Sequence, residues 1–114
     1  MFEGPRIEDV APQAVDALCE QGALLLDVRE DDEWAAGHAP GAVHVPLAGV
    51  SDAAAQFADR QVLAVCRSGG RSSKAAEMLA EAGVEVRNVA GGMSSWVEAG
   101  LPVVRYDGSP GSVA

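Results

Sequence analysis

The chain has 114 residues, 48% of them hydrophobic, with a mean hydropathy of +0.08. That is enough for one domain with its own core and too little for two. A formal net charge of −9, with only 8 Lys and Arg, excludes the broad basic face that nucleic acid or an anionic membrane would need.

Met1 to Asp9 read as a lead-in segment without the basic and apolar regions of a secretory signal, Arg6-Ile7 adding a short strand. Val10 to Glu20 read as a helix. Pro12 is tolerated in a first turn, Val10, Ala14, Val15 and Leu18 form an apolar stripe, and Gly22 ends it. Cys19 lies beside that stripe with nothing cationic around it, as a half-buried helix cysteine does. Ala23 to Val28, ALLLDV, is a buried strand with Asp27 and Arg29 at its end. Because the C-terminal ends of parallel strands form the ligand-facing edge, this pair is expected to support whatever site lies there, as an ion pair or through turn hydrogen bonds.

Glu30 to Ala36 is a short helix with Trp34 turned inward, and Gly37 to Gly41 is a turn in which His38 hydrogen-bonds locally. Val43-His44-Val45 alternates as a third strand stopped by Pro46. Two histidines with no third ligand in view call for no metal, and nothing calls for a cofactor. Leu47 to Arg60 holds a weak helix around Asp52 to Ala58 that covers one sheet face.

Val62-Leu63-Ala64-Val65 is a strand buried on both faces, and it ends at Cys66. Arg67-Ser68-Gly69-Gly70-Arg71 follows, then Ser72-Ser73 as caps of a helix whose apolar positions Ala75, Met78, Leu79 and Ala82 keep helical spacing up to Gly83. A strand-to-helix turn with two glycines aims unpaired N–H groups at one anion. Arg67, Arg71 and Lys74 crowd the same place, so the thiolate of Cys66 is favoured and Cys66 is the candidate nucleophile. Val84, Val86 and Val89 form the last strand, and after Gly91-Gly92 a short helix, Met93 to Ala99, puts Met93 and Trp96 into the core. Leu101 to Val104 close the domain, which takes residues 1–106. Residues 107–114, DGSPGSVA, have almost nothing to bury and are expected to be a mobile tail.

Alternating strands and helices imply right-handed βαβ units and an α/β sandwich with a mainly parallel sheet. Two cysteines make no disulfide framework, and a reactive thiol suits a reducing compartment, so a cytoplasmic location is expected. No apolar run approaches the length of a membrane span.

Three stretches in order resemble the rhodanese family of sulfurtransferases: Leu26-Asp27-Val28-Arg29 with Glu33-Trp34 and Gly37 to Ala42; Cys66 to Arg71; and Gly91-Gly92-Met93 with Ser95-Trp96 ahead of Gly100 to Val103. The resemblance covers about residues 6 to 104. It implies a rhodanese-like three-layer sandwich, a five-stranded sheet with helices on both faces. It also implies a sulfane sulfur carried as a persulfide on Cys66, cradled by Arg67, Ser68, Gly69, Gly70, Arg71 and Ser72 and supported by Asp27 and Arg29. The partners are then a small anionic sulfur donor, such as thiosulfate or a persulfide, and a thiol acceptor, small molecule or protein, with cyanide serving in vitro. Spacing leaves open whether Arg67 or Arg71 faces the substrate. A partner-dependent sulfur carrier or binding module is the alternative. Phosphatase or arsenate reductase chemistry fits less well, because four residues rather than five separate Cys66 from Arg71.

Overall fold

Short apolar runs build the centre of the sheet in a computed structural model that describes residues 6–113. The strands β2 (Leu24–Asp27) and β4 (Gln61–Val65) pair in parallel, from Leu24 opposite Val62 to Asp27 opposite Val65. The strand β5 (Glu85–Val89) lies on the far side of β4, and two-residue strands β1 (Asp9–Val10) and β3 (Val43–His44) close the edges. The order is β1-β5-β4-β2-β3, every pair is parallel, and each strand therefore points its C-terminal end toward one edge.

Successive residues of a strand face opposite ways, so consecutive hydrophobes feed two cores at once. Leu26, Val62, Ala64 and Cys66 face Val50, Phe57, Ala75, Ala76 and Leu79, which belong to α3 (Val50–Ala53), its 3₁₀ extension Ala54–Phe57, and α4 (Gly70–Glu81). Leu25, Leu63 and Val65 face Val15 of α1 (Val15–Glu20) and Met93 and Trp96 of α5 (Gly92–Glu98). Helices thus cover both faces of a five-stranded parallel sheet, the α/β sandwich expected from the alternating pattern with the strand number and layering that the resemblance implies. Among the described residues no helix is long and apolar enough to cross a membrane.

Four local expectations are corrected. Arg6-Ile7 is not a strand, and the helix expected from Val10 begins only at Val15, after a 3₁₀ turn at Pro12–Ala14. Val10 instead joins the sheet edge, its carbonyl accepting from Ala90 N–H at 2.9 Å, because Pro12 has no N–H to continue a ladder or a helix backward. The helical segment after Pro46 starts at Leu47 rather than Asp52, since its buried residues Val50, Ala53, Ala54 and Phe57 carry the helical spacing. The last helix begins at Gly92, one residue early.

Residues 107–113 make backbone contacts with the domain. Val104 exchanges both backbone hydrogen bonds with His38, at 2.9 and 2.8 Å, and the chain then turns back through Arg105 N–H to Ser109 O and Gly111 N–H to Val103 O, each 2.9 Å. Ser112 N–H donates to Ala36 O at 3.0 Å, which docks the segment on the end of α2 (Asp31–Ala36). Backbone groups do this holding, and side-chain composition does not register them. Residues 1–5 of the lead-in segment and Ala114 lie outside the described residues.

Candidate active site

The ends of β2 and β4 are level, since Asp27 pairs with Val65 and Val28 N–H donates to Val65 O at 3.0 Å. Cys66 follows directly and is only 1% exposed. The chain then reverses through Gly69, whose φ of +114° is a conformation that residues with a Cβ rarely adopt, and α4 starts at Gly70. Gly70 has no positive φ, and a Cβ added there would meet nothing within 4 Å, so only the first of the two glycines is required.

This turn folds inward on the sulfur. Gly69 N–H donates to Cys66 Sγ at 3.1 Å, and the Ser72 hydroxyl lies 3.3 Å from it. Ser72 is therefore not the helix cap expected from sequence. It sits inside the first turn of α4, fully buried, with Oγ also 3.2 Å from Gly69 O. Burial, the largest single influence on Cys66, pushes its thiol up. Hydrogen bonds from the Ser72 hydroxyl and from the N–H groups of Ser72, Gly69 and Ser68 together outweigh it and hold the thiol below its ordinary value. Hydrogen bonding, rather than flanking cations, is thus the principal means by which this turn favours the thiolate.

The cations have separate fates. Arg71 turns to α2 and meets Glu33 with two parallel bonds, Nη1 to Oε1 at 2.6 Å and Nη2 to Oε2 at 2.9 Å. That fork raises Arg71 above the ordinary guanidinium range and, through the Arg71 hydrogen bond first, holds Glu33 down at about 2. Arg67 is exposed and lines a cavity of about 520 Å³ together with Ser94 and an apolar wall of Val97, Leu101, Val103 and Val113. Lys74 is exposed as well. Arg67, not Arg71, is thus the loop cation without a carboxylate partner among the described residues.

The Glu33–Arg71 fork has a pH signature. A depressed carboxyl contributes stability that is fully present above its unfolded value near 4.5 and is lost as pH falls through about 2. Glu33→Gln is expected to lower stability by about 1 kcal/mol at pH 7. The deficit should narrow once pH falls below about 4.5, where acid protonates Glu33 in the unfolded chain before it does so in the folded one, as urea unfolding at pH 7 and pH 3 would read; a deficit independent of pH would contradict the assignment.

Asp27 and Arg29 are fully buried and bonded to each other, Arg29 Nη2 to Asp27 Oδ2 at 2.8 Å and Nε to both carboxylate oxygens at 3.0 and 3.1 Å. Arg29 Nη2 also donates to Gly37 O at 2.8 Å, tying the Gly37 turn to the end of β2. The pair builds the edge beside the loop. His38 keeps Nδ1 2.9 Å from Trp34 O and stacks on Trp34 at 3.7 Å, which is a local role. Cys19 belongs to the core under α1, on the opposite sheet face from Cys66, and burial followed by Asp16 pushes its thiol up despite a backbone hydrogen bond from Leu25. Both cysteines are free.

Sequence reasoning missed two supports. Gly91 and Gly92, with φ of +71° and +60°, aim the start of α5 at the loop, where Met93 N–H donates to Cys66 O at 2.7 Å and Ser94 N–H to Arg67 O at 2.9 Å. The paired glycines were the available signal. Glu33 looked like any acidic first-turn residue, and only its distance from Arg71 in the fold reveals the fork.

With this geometry in view, a sequence profile described as the Rhodanese-like domain matches residues 11–99. An HTH-type transcriptional regulator of Mycobacterium tuberculosis is 40% identical over 69% of this chain, which spans only 36% of that protein. The thiosulfate sulfurtransferase GlpE of Pseudomonas fluorescens is 36% identical over 76% of this chain and 82% of its own length. A rhodanese-related protein from Thermoplasma volcanium superimposes with a TM-score of 0.77 at 27% identity, covering 85% of this chain and 97% of that one.

Proposed function

Since this chain belongs to the rhodanese-like domain family of sulfurtransferases, we propose that it moves a sulfane sulfur from thiosulfate or a low-molecular-weight persulfide to a thiol acceptor through a persulfide on Cys66. The observation that carries the proposal is the sulfur of Cys66 at the focus of the Gly69 N–H and the Ser72 hydroxyl, with its thiol held below the ordinary value.

In the first half-reaction the Cys66 thiolate attacks the outer sulfur of thiosulfate. A sulfur–sulfur bond forms to Cys66, the bond to the sulfonate sulfur breaks, and sulfite leaves with the electron pair. In the second, an acceptor thiolate, or cyanide in vitro, attacks the outer sulfur of the persulfide, and the pair in the broken bond returns to Cys66. Two displacements replace one. The loop's N–H groups act on negative charge at the inner and outer sulfur without having to reorganise. Ser68 and Gly70 are exposed at the rim, Gly69 and Ser72 form the inner surface, and Arg67 offers charge to an incoming anionic donor.

Steady-state formation of thiocyanate from thiosulfate and cyanide tests the proposal, with parallel double-reciprocal lines expected for two half-reactions. Arg67→Ala is expected to raise KM for thiosulfate about 5-fold with little change in kcat, the effect of removing one exposed cation from the approach of an anion. Arg71→Ala should raise it less, because Glu33 already neutralises that charge. A larger KM effect for Arg71 would reverse the two roles.

A partner-dependent carrier is the second reading, favoured by the match to about a third of a longer regulatory protein. It predicts one round of loading with slow release to small thiols instead of turnover. Phosphatase or arsenate chemistry has less support, because the loop is one residue short and Arg71 is committed to Glu33.

A further inference from the structure

Ser72 Oγ faces three acceptors and has one hydrogen to give. Cys66 Sγ is 3.3 Å away, Gly69 O 3.2 Å, and Asn88 Oδ1 2.5 Å. Asn88 sits on β5, 5% exposed, and its Nδ2 lies 3.3 Å from Asp9 Oδ1 on β1. A carboxylate only accepts, so Asp9 turns the NH₂ of Asn88 toward itself and leaves the amide oxygen facing Ser72. Through Asn88, Asp9 therefore sets up a competitor to the sulfur for the one Ser72 hydrogen.

The two protonation states of Cys66 use this row differently. A thiol supplies its own hydrogen to Ser72 Oγ, Ser72 donates to Asn88 Oδ1, and Asn88 Nδ2 donates to Asp9, so every group is satisfied. A thiolate needs the Ser72 hydrogen. Giving it leaves two lone-pair oxygens 2.5 Å apart, unless the Asn88 amide turns over and donates to Ser72 instead. We infer that Asn88 is a positioning residue for Cys66: its amide orientation, biased by Asp9, governs whether Ser72 donates to the sulfur and so how readily the nucleophile forms. This rests on Cys66 being the nucleophile and not on the identity of the sulfur donor. The other charges around the row are Arg71 on α4 with its partner Glu33 on α2, the Asp27–Arg29 pair closing β2, and the exposed Arg67 and Lys74.

The test is the pH dependence of iodoacetamide alkylation at Cys66, read by mass spectrometry of its peptide so that Cys19 is counted apart. Asn88→Leu removes the acceptor, frees the Ser72 hydrogen, and is expected to move the midpoint down by about one pH unit, roughly tenfold more thiolate below it. Asn88→Asp, an acceptor only, should move it up. Asp9→Asn, at an exposed position where folding is not at risk, releases the amide and should move the midpoint down by less. Both downward shifts should vanish in a Ser72→Ala background, since Asn88 acts through that hydroxyl; an effect of lost charge alone would survive there. Shifts that persist without Ser72, or a midpoint unchanged or raised in both Asn88→Leu and Asp9→Asn, overturn the inference. Alkylation needs no sulfur donor. Loss of these shifts with persulfide loading intact would thus refute the relay alone, and the reverse result would refute the sulfur-transfer proposal alone.

Discussion

Cys66→Ser is expected to lose all sulfur loading while the protein stays folded. A hydroxyl at a site 1% exposed keeps the volume within one atom and can still accept from Gly69 N–H and pair with Ser72. The change in stability should therefore stay within about 1 kcal/mol, small beside a typical folding free energy. What disappears is the only group here that ionises readily and leaves as readily from a sulfur–sulfur bond. Circular dichroism and a urea midpoint check the fold, and the mass after donor treatment checks the loading. Loading that persists would move the chemistry to Cys19, a thiol pushed up by burial on the other face of the sheet.

Gly92→Ala should be strongly destabilising, although Gly92 has no side chain and takes no part in the chemistry. Its φ is +60°, and a Cβ there would meet the backbone oxygens of both Cys66 and Arg67, which cannot swing aside as a side-chain end would. Left-handed strain and a clash against fixed backbone together predict a loss of about 3 kcal/mol or more. The Met93 and Ser94 N–H bonds that hold the loop from behind should weaken with it. Gly70→Ala is the matched control, because open space surrounds it and its φ is not positive. It should be neutral or slightly stabilising, within about 1 kcal/mol. Equal sensitivity at the two positions, by thermal unfolding and by alkylation of Cys66, would contradict this view of how the loop is held. The comparison also narrows the requirement placed on Gly69-Gly70 from sequence. Valine is expected to impair the turn at Gly69, whose φ is +114°, and to leave it workable at Gly70.

The parts legible in the sequence are those written in local periodicity and short motifs. Runs such as Val62 to Val65 announce buried strands, and each of those four residues is fully buried. The strand-to-helix turn at Cys66 is legible too, with a glycine where the backbone turns left-handed. The charges are less legible, because a one-dimensional reading counts cations near a thiol and does not see where their side chains go. Arg71 is committed to Glu33, 38 positions earlier in the chain, and hydrogen-bond donors from Gly69 and Ser72 take the role assigned to charge. The backbone contacts of residues 107–113 escape for a similar reason. Residues with little to bury are held by backbone bonds to Ala36 and Val103, and such bonds leave no trace in hydropathy. Asn88 also carries no local signal, since its meaning depends on meeting Ser72 and Asp9 from separate elements.

The most direct test of persulfide formation on Cys66 is the intact mass of the protein after incubation with thiosulfate and removal of the excess, beside Cys66→Ser treated identically. The parent is expected to gain one sulfur atom and to lose it again on adding cyanide, and the variant to gain none. A parent that gains no sulfur from thiosulfate or from a low-molecular-weight persulfide, or a variant that gains as much as the parent, would contradict sulfur transfer through Cys66.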